Sequence, residues 1–200
     1  MTVTHSAMTD MAFDASGGTL PSGYPFALWA ELVQRVPQLA DDESVGVVPL
    51  RVAESDGDML LPKRAKLVLR LPQILMRAAA TLSGTKLDIS GNALRLGTGQ
   101  PRQIQPHPTL HAQLVTGADD EVAFLEKMRA ALNIMGIEAG LICGRRKTLA
   151  DDRHSLAGYS LVAHDLKPEA SLRLQADGLG DGRHFGCGIF LPHKVISYLG

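Results

Sequence analysis

The chain has 200 residues, of which 45% are hydrophobic and 4% aromatic, and its formal net charge is −1. This length allows one large domain or two of about 100 residues with aliphatic cores. The charge balance excludes a uniformly basic nucleic-acid binder, so any surface for a polyanion must be local. The two cysteines, Cys143 and Cys187, have no metal-binding spacing and are expected to be reduced thiols in a cytoplasmic protein. We predict neither a membrane span nor a signal peptide, and expect residues 1–10 to be a disordered leader.

The N-terminal half, residues 11–104, contains predicted elements in the order β-α-β-β-α-β. Alternating or β-branched apolar residues indicate its strands, and apolar residues at helical spacing indicate its helices. In chain order these are a strand at 11–15, a helix at 26–39, strands at 45–52 and 65–71, a helix at 73–82, and a hairpin at 87–96. This order is typical of a ferredoxin-like fold.

The C-terminal half, residues 105–200, repeats that order after a linker at 97–108 that is rich in glycine and proline. Its predicted elements are a strand at 110–116, a helix at 119–135, a strand at 137–143, a basic loop at 144–155, a strand at 156–164, a helix at 167–177, a glycine-rich loop at 178–188 and a strand at 189–191. We therefore predict an α+β protein made of two tandem ferredoxin-like (RRM-like) domains.

The most distinctive stretch reads Gly178-Leu-Gly-Asp-Gly-Arg-His-Phe-Gly-Cys-Gly188. Glycine reaches positive φ at no steric cost and lets another backbone come close. Such a loop can present backbone N–H groups and cations to a phosphate chain, which makes Gly180, Gly182, Arg183 and His184 candidate binding residues. The spacing fits neither a dinucleotide fingerprint nor a P-loop. A plain glycine-rich turn is the alternative.

Other basic residues are candidates for the same kind of contact. Arg145, Arg146 and Lys147 lie in the predicted basic loop, where guanidinium groups could pair with phosphates or guanine edges. Arg173 lies on the last predicted helix, and Lys194 follows the last predicted strand. For each of them a solvated surface position is the alternative. The histidines and cysteines show no metal-ligand spacing, so we predict no metal and no other cofactor.

The two halves, together with the pattern G-L-G-x(5)-G-C-G, resemble the CRISPR-associated endoribonucleases that cut pre-crRNA at its repeats. Further similarity, to the short proteobacterial branch of that family, lies at 67–72, 143–148, 168–175 and 189–194. The resemblance implies metal-independent cleavage, in which the 2′-OH attacks the adjacent phosphate and leaves a cyclic phosphate. It also implies two kinds of partner: CRISPR repeat RNA with its crRNA hairpin, and other subunits of a crRNA effector complex.

The chain departs from the family where relatives usually carry a histidine near the first helix. No histidine lies between His5 and His107. Tyr24 stands where relatives often carry histidine, and Ala40 where they can carry one, so both are candidate catalytic positions. A tyrosine or arginine could replace the histidine, the chain could bind without cutting, or Ala40 could be an engineered substitution. The alternatives in function are a non-catalytic subunit that binds the crRNA 3′ hairpin and a ferredoxin-like domain that binds no RNA.

Overall fold

The computed structural model describes residues 8–55 and 57–193. The chain divides into two compact units after Ile104. The first unit also contains residues 149–155 and 183–186, and the second contains the rest of the C-terminal half. A strand begins at Met8, so residues 8–10 of the expected leader are ordered β structure, and residues 1–7 lie outside the described part.

The first unit contains nine strands and two α-helices among its described residues. In chain order they are β1 (Met8–Gly17), β2 (Thr19–Pro21), α1 (Tyr24–Arg35), β3 (Gly46–Val48), β4 (Ala53–Ser55), β5 (Asp58–Leu60), β6 (Ala65–Pro72), α2 (Met76–Ala79), β7 (Lys86–Ile89), β8 (Asn92–Leu96) and β9 (Gln100–Gln103). Within residues 8–104, three 3₁₀ turns accompany them at Pro37–Asp41, Gln73–Leu75 and Ala80–Leu82.

The main sheet of this unit has the strand order β3-β6-β1-β8-β7, and β9 also pairs with β1. The long pair β1–β6 is antiparallel and runs from Met8 opposite Pro72 to Ala15 opposite Ala65. With the β7–β8 hairpin taken as the last strand, this is the 2-3-1-4 arrangement of a ferredoxin-like domain. Strands β2, β5 and β4 form a separate small sheet.

Two predicted elements of this unit differ most from the structure: the helix at 73–82 and the linker at 97–108. The predicted helix over 73–82 is split into a 3₁₀ turn, α2 and a second 3₁₀ turn. Its buried side chains Met76, Ala79 and Leu82 are spaced by three, which is the period of a 3₁₀ helix. The predicted linker contains β9, whose exposed residues pair through backbone hydrogen bonds with Thr9–Ala12 and need no apolar pattern.

The second unit has the same plan. Its elements are β10 (Leu110–Thr116), α3 (Glu121–Ile134), β11 (Gly140–Ala150), β12 (Ser155–His164), α4 (Pro168–Asp177) and β13 (Leu191–Pro192). The strand order β11-β12-β10-β13 is again 2-3-1-4. The chain is therefore built from two tandem ferredoxin-like domains, as the sequence predicts. Within the described residues, no helix combines the length and apolar character that a membrane crossing requires.

The predicted loop at 144–155 is wrong in its extent. Strand β11 continues through Arg145, Arg146 and Lys147 to Ala150, and the reversal of the chain takes only 151–154. The turn forms there because the Asp151 carboxylate accepts the backbone N–H groups of Arg153 and His154, at 2.8 and 2.6 Å. The three cations consequently lie on an exposed strand and not on a loop.

Candidate functional site

The glycine-rich loop begins where α4 ends. All five of its Gly-x-Gly glycines have positive φ, between 67° and 87°, at positions 178, 180, 182, 186 and 188. Two of them also allow close backbone contacts: a Cβ on Gly180 would lie 2.5 Å from the Thr116 carbonyl oxygen, and one on Gly188 would lie 2.1 Å from the Leu179 carbonyl oxygen. The repeated pattern in the sequence is therefore required by the backbone of this loop.

Hydrogen bonds to β10 fix both ends of the loop. The Asp181 N–H donates to the Thr116 hydroxyl at 2.6 Å, and that hydroxyl donates to the Asp181 carbonyl at 3.1 Å. On the other side the Gly188 N–H donates to the Leu114 carbonyl at 2.7 Å. The loop is thus held on a strand of the second unit at each end.

The centre of the loop, Arg183–Phe185, is a 3₁₀ turn that belongs to the first unit. Arg183 Nε donates to the Ser44 carbonyl oxygen at 2.8 Å. The His184 ring stacks on Trp29 of α1, with centroids 4.1 Å apart and planes 12° apart. Of the four predicted binding residues of the loop, the structure therefore brings Arg183 and His184 against the first helix and the segment that follows it.

His184 differs in charge from the cation that the sequence suggests. Burial lowers the pKa of His184, and although a hydrogen bond with the Asp42 backbone opposes this, the nearby Arg183 adds to the lowering. An imidazole with a lowered pKa is neutral near pH 7. Arg183 is then the charged side chain of this turn.

Ala40 lies in the same part of the first unit. Helix α1 ends at Arg35 because the residue before a proline is held in an extended conformation, and Val36 has φ −135° and ψ 80°. Ala40 is exposed on the 3₁₀ turn Pro37–Asp41, two residues before Asp42 and four before Ser44. The position is consequently close in sequence to both backbone groups that hold the Arg183–Phe185 turn.

Tyr24 is a core residue at the first position of α1. Its side chain is buried and its hydroxyl accepts the Leu50 N–H at 3.1 Å. Burial raises the pKa of Tyr24 to about 12, and the hydrogen bond from Leu50 offsets only part of that rise. A phenol with this pKa is protonated at neutral pH, so it can hold the backbone of Leu50 but is a poor proton acceptor.

A feature that sequence reasoning missed is the β11–β12 turn, whose residues 149–155 belong to the first unit. The His154 ring stacks on Phe26 of α1, with centroids 4.8 Å apart and planes 22° apart. His154 Nδ1 lies 3.0 and 3.1 Å from the two carboxylate oxygens of Asp151. A contact between residues 128 positions apart leaves no local signal in the sequence, although the short spacing of Asp151 and His154 does indicate a turn.

The remaining predicted binding residues that the structure describes belong to the second unit. Arg145, Arg146 and Lys147 are exposed on β11, and Arg146 forms an ion pair with Asp119 at 2.9 Å. Arg173, exposed on α4, donates to the Met135 carbonyl at the end of α3. Lys194 lies outside the described residues. Within 8–55 and 57–193, no group of three or more His, Cys, Asp or Glu side chains is arranged to hold a metal ion.

Comparison with known proteins gives a consistent set of matches. The family model described as Cas6 Crispr matches residues 9–195. A curated protein of Myxococcus xanthus, CRISPR-associated endonuclease Cas6, is 35% identical over 185 residues, which is 92% of this chain and 80% of that protein.

Several solved structures resemble the fold at low sequence identity, including the following two. A Cas6-related protein from Pyrococcus furiosus has a TM-score of 0.70 at 12% identity, covering 96% of this chain and 100% of that one. The Thermus thermophilus protein Cse3, bound to an RNA that represents a pre-cleavage complex, has a TM-score of 0.55 at 14% identity, covering 92% of this chain and 98% of that one.

Proposed function

Because the chain belongs to the Cas6 family of CRISPR-associated proteins, we propose that it is an endoribonuclease that binds the hairpin of CRISPR repeat RNA and cuts it. The cut requires no metal ion, and the protein stays on the product as a subunit of a crRNA effector complex. The curated relative at 35% identity is an endonuclease, which supports the activity. The structure of Cse3 with RNA supports the choice of RNA as the substrate of this fold.

The observation that carries this proposal is the conformation of the glycine-rich loop. Five glycines with positive φ hold Arg183 in a defined position beside Ser44. A guanidinium fixed in this way provides charged hydrogen-bond donors for phosphate oxygens. Such hydrogen bonds are stronger and more specific than those from a surface lysine that is free to move. The exposed Arg145, Arg146 and Lys147 of the second unit, with Arg173, would add phosphate contacts along the hairpin.

The chemistry requires three functions. A base removes the proton of the 2′-OH, an acid protonates the leaving 5′-oxygen, and a cation or N–H groups stabilise the charge that develops on the phosphate. We assign the charge stabilisation to the Arg183 turn, and place residue 40 near the scissile phosphate. Tyr24 supports the site from the core by holding the Leu50 backbone.

A non-catalytic hairpin-binding subunit is the second candidate. The observation that favours it is that residue 40 is an exposed alanine, which has no group for proton transfer. The loop and the exposed cations would serve either function equally well. The two candidates therefore differ only in the fate of the RNA.

The experiment is incubation of the pure protein with end-labelled repeat RNA in EDTA. Cleavage at one position within the repeat supports the endoribonuclease. A mobility shift at low protein concentration without cleavage selects the binding subunit. Absence of both refutes the proposal in either form. An RNA of the same length with a scrambled hairpin is the control for specificity.

A further inference from the structure

We propose that His154 is the general base of the cleavage reaction, with Nε2 taking the proton of the attacking 2′-OH. The inference rests on the proposed function, since it assigns a proton acceptor to that reaction. The first helix itself contains no histidine, but His154 contacts that helix from the β11–β12 turn.

The Asp151 carboxylate defines the state of the His154 ring. It accepts the backbone N–H groups of Arg153 and His154 as well as the ring contact at Nδ1, and these hydrogen bonds lower the pKa of Asp151. An ionised carboxylate only accepts hydrogen bonds, so in the neutral ring Nδ1 carries the hydrogen. The lone pair of the neutral imidazole is then on Nε2, where a base requires it.

The surroundings of the ring hold it without covering it. Phe26 stacks on one face of the imidazole, and the side chain remains 54% exposed. Gly23, at the start of α1, lets the turn come close, because a Cβ there would lie 2.7 Å from the Asp151 Cβ and 2.9 Å from the Ala150 carbonyl oxygen. A proton acceptor that is fixed in orientation but open to a large substrate fits an enzyme acting on RNA.

The same phenylalanine connects this turn to the glycine-rich loop. Phe26 also contacts Phe185, with ring centroids 4.8 Å apart. The turn that carries His154 and the turn that carries Arg183 therefore meet on one side chain of α1 within the first unit. This places a candidate base and a candidate phosphate-binding cation in one neighbourhood.

The other histidine that contacts α1, His184 of the glycine-rich loop, is not suited to this role. His184 is half-buried on Trp29, and among the described atoms its Nε2 is buried with no hydrogen-bond partner. A nitrogen that is closed off from solvent cannot receive a proton from a bound RNA without a rearrangement. Of the two histidines, the exposed one can contact the substrate.

The 2′-OH proton passes to His154 Nε2, the 2′-oxygen forms a bond to the adjacent phosphorus, and the P–O5′ bond breaks. The 5′-oxygen takes a proton from water, and the imidazolium later returns its proton to solvent. The products are an RNA with a 2′,3′-cyclic phosphate and one with a 5′-OH.

The test is single-turnover cleavage of repeat RNA by the full chain and by His154→Gln, Asp151→Asn and His164→Ala, with RNA affinity measured in parallel. General base catalysis typically contributes about 10²–10⁴ in rate, so we expect H154Q to lose that factor while its affinity changes less than about threefold. D151N keeps a carbonyl oxygen for the turn but not the charge, and is expected to lose about tenfold or more. H164A is the matched control, because His164 also pairs with an aspartate, Asp165, at 2.8 Å on the second unit, and its rate should not change.

A substrate with sulfur at the 5′-bridging position separates a base from an acid, because the thiolate leaves without a proton. We expect H154Q to remain slow relative to the unmodified chain on this substrate. Full rescue there would overturn the assignment as a base. Equal cleavage of ordinary RNA by H154Q and the unmodified chain would overturn the inference while leaving the proposed function intact. If the unmodified chain binds repeat RNA but never cuts it, the endoribonuclease proposal fails and the inference fails with it.

Discussion

Arg183 is the residue that we expect to contact the phosphates of the RNA. Its Nε donates to the Ser44 carbonyl, which fixes the position of the positively charged guanidinium. We expect Arg183→Ala to weaken binding of the repeat hairpin by about 1–3 kcal/mol, as for a charged hydrogen bond to phosphate. The measurement is the dissociation constant at moderate salt. Arg35→Ala is the matched control, because Arg35 also carries a guanidinium that donates to a carbonyl, that of Lys86, on the same unit. Equal losses in the two variants would count against a specific contact.

Tyr24 is predicted to affect stability more than rate. Tyr24→Phe leaves the buried Leu50 N–H without its acceptor, which costs about 1–3 kcal/mol in the free energy of unfolding. We expect a lower midpoint of denaturant unfolding and a single-turnover rate within about threefold of the original. Loss of cleavage in a fully folded Y24F protein would make the tyrosine the catalytic group.

Substitutions at residue 40 test whether a histidine there, as the resemblance implies for relatives, can take part in cleavage. Ala40→His adds a side chain with a pKa near neutrality on an exposed turn, so we expect it to raise the cleavage rate by about tenfold or more. Ala40→Gln adds a polar side chain of similar reach that does not titrate, and should leave the rate unchanged. The idea fails if both substitutions have the same effect.

Among the structural elements, the glycine-rich loop is expected to contribute to stability in two ways: through close approach of backbone atoms and through positive φ at its glycines. Gly188 and Gly91 both have positive φ, but a Cβ on Gly188 would overlap a carbonyl oxygen, whereas one on Gly91 would meet nothing within 4 Å. We expect Gly188→Ala to reduce the free energy of unfolding by about 2 kcal/mol more than Gly91→Ala does. Chemical denaturation of the two variants gives this difference directly. Equal losses would mean that backbone strain alone accounts for the glycine.

Elements with a strong local pattern were predictable from the sequence. Strand β10 matches its prediction at both ends, and α3 begins with the Asp120 side chain accepting the Ala123 N–H, a helix start that its acidic first turn indicates. Patterns that depend on a distant partner were not predictable. Arg70, in the strand predicted at 65–71, is a buried arginine that pairs with Asp10 on β1 at 2.8 Å.

The candidate site shows the same limit. The sequence identifies the glycine-rich loop, because the conformation of its own backbone requires the glycines. It does not identify the pairs Phe26–His154 and Trp29–His184, whose members are more than 100 residues apart and become neighbours only through the fold. The sequence of the first helix, which contains no histidine, therefore indicates a missing catalytic group, although two histidines from distant segments contact that helix in the structure.

In the molecule as a whole, both halves of the chain have the same 2-3-1-4 sheet, but the compact units do not coincide with those halves. Two short segments, 149–155 and 183–186, belong to the first unit and bring His154 and Arg183 to α1. Alternation and turn signals predict the repeated fold because each domain forms its sheet from its own strands. They do not predict that these two segments of the C-terminal half belong to the first unit, which is a property of the tertiary structure alone.

One substitution in the substrate tests whether the RNA's own 2′-OH is the nucleophile in the proposed cleavage. A repeat RNA with a single 2′-deoxy nucleotide immediately 5′ of the cleavage site lacks the nucleophile but keeps every phosphate. We predict that this RNA binds with unchanged affinity in EDTA and is not cut, while the all-ribose RNA yields a product ending in a 2′,3′-cyclic phosphate. Cleavage of the deoxy-substituted RNA at the same position would rule out attack by the 2′-OH, because the nucleophile would then have to be water or a protein group.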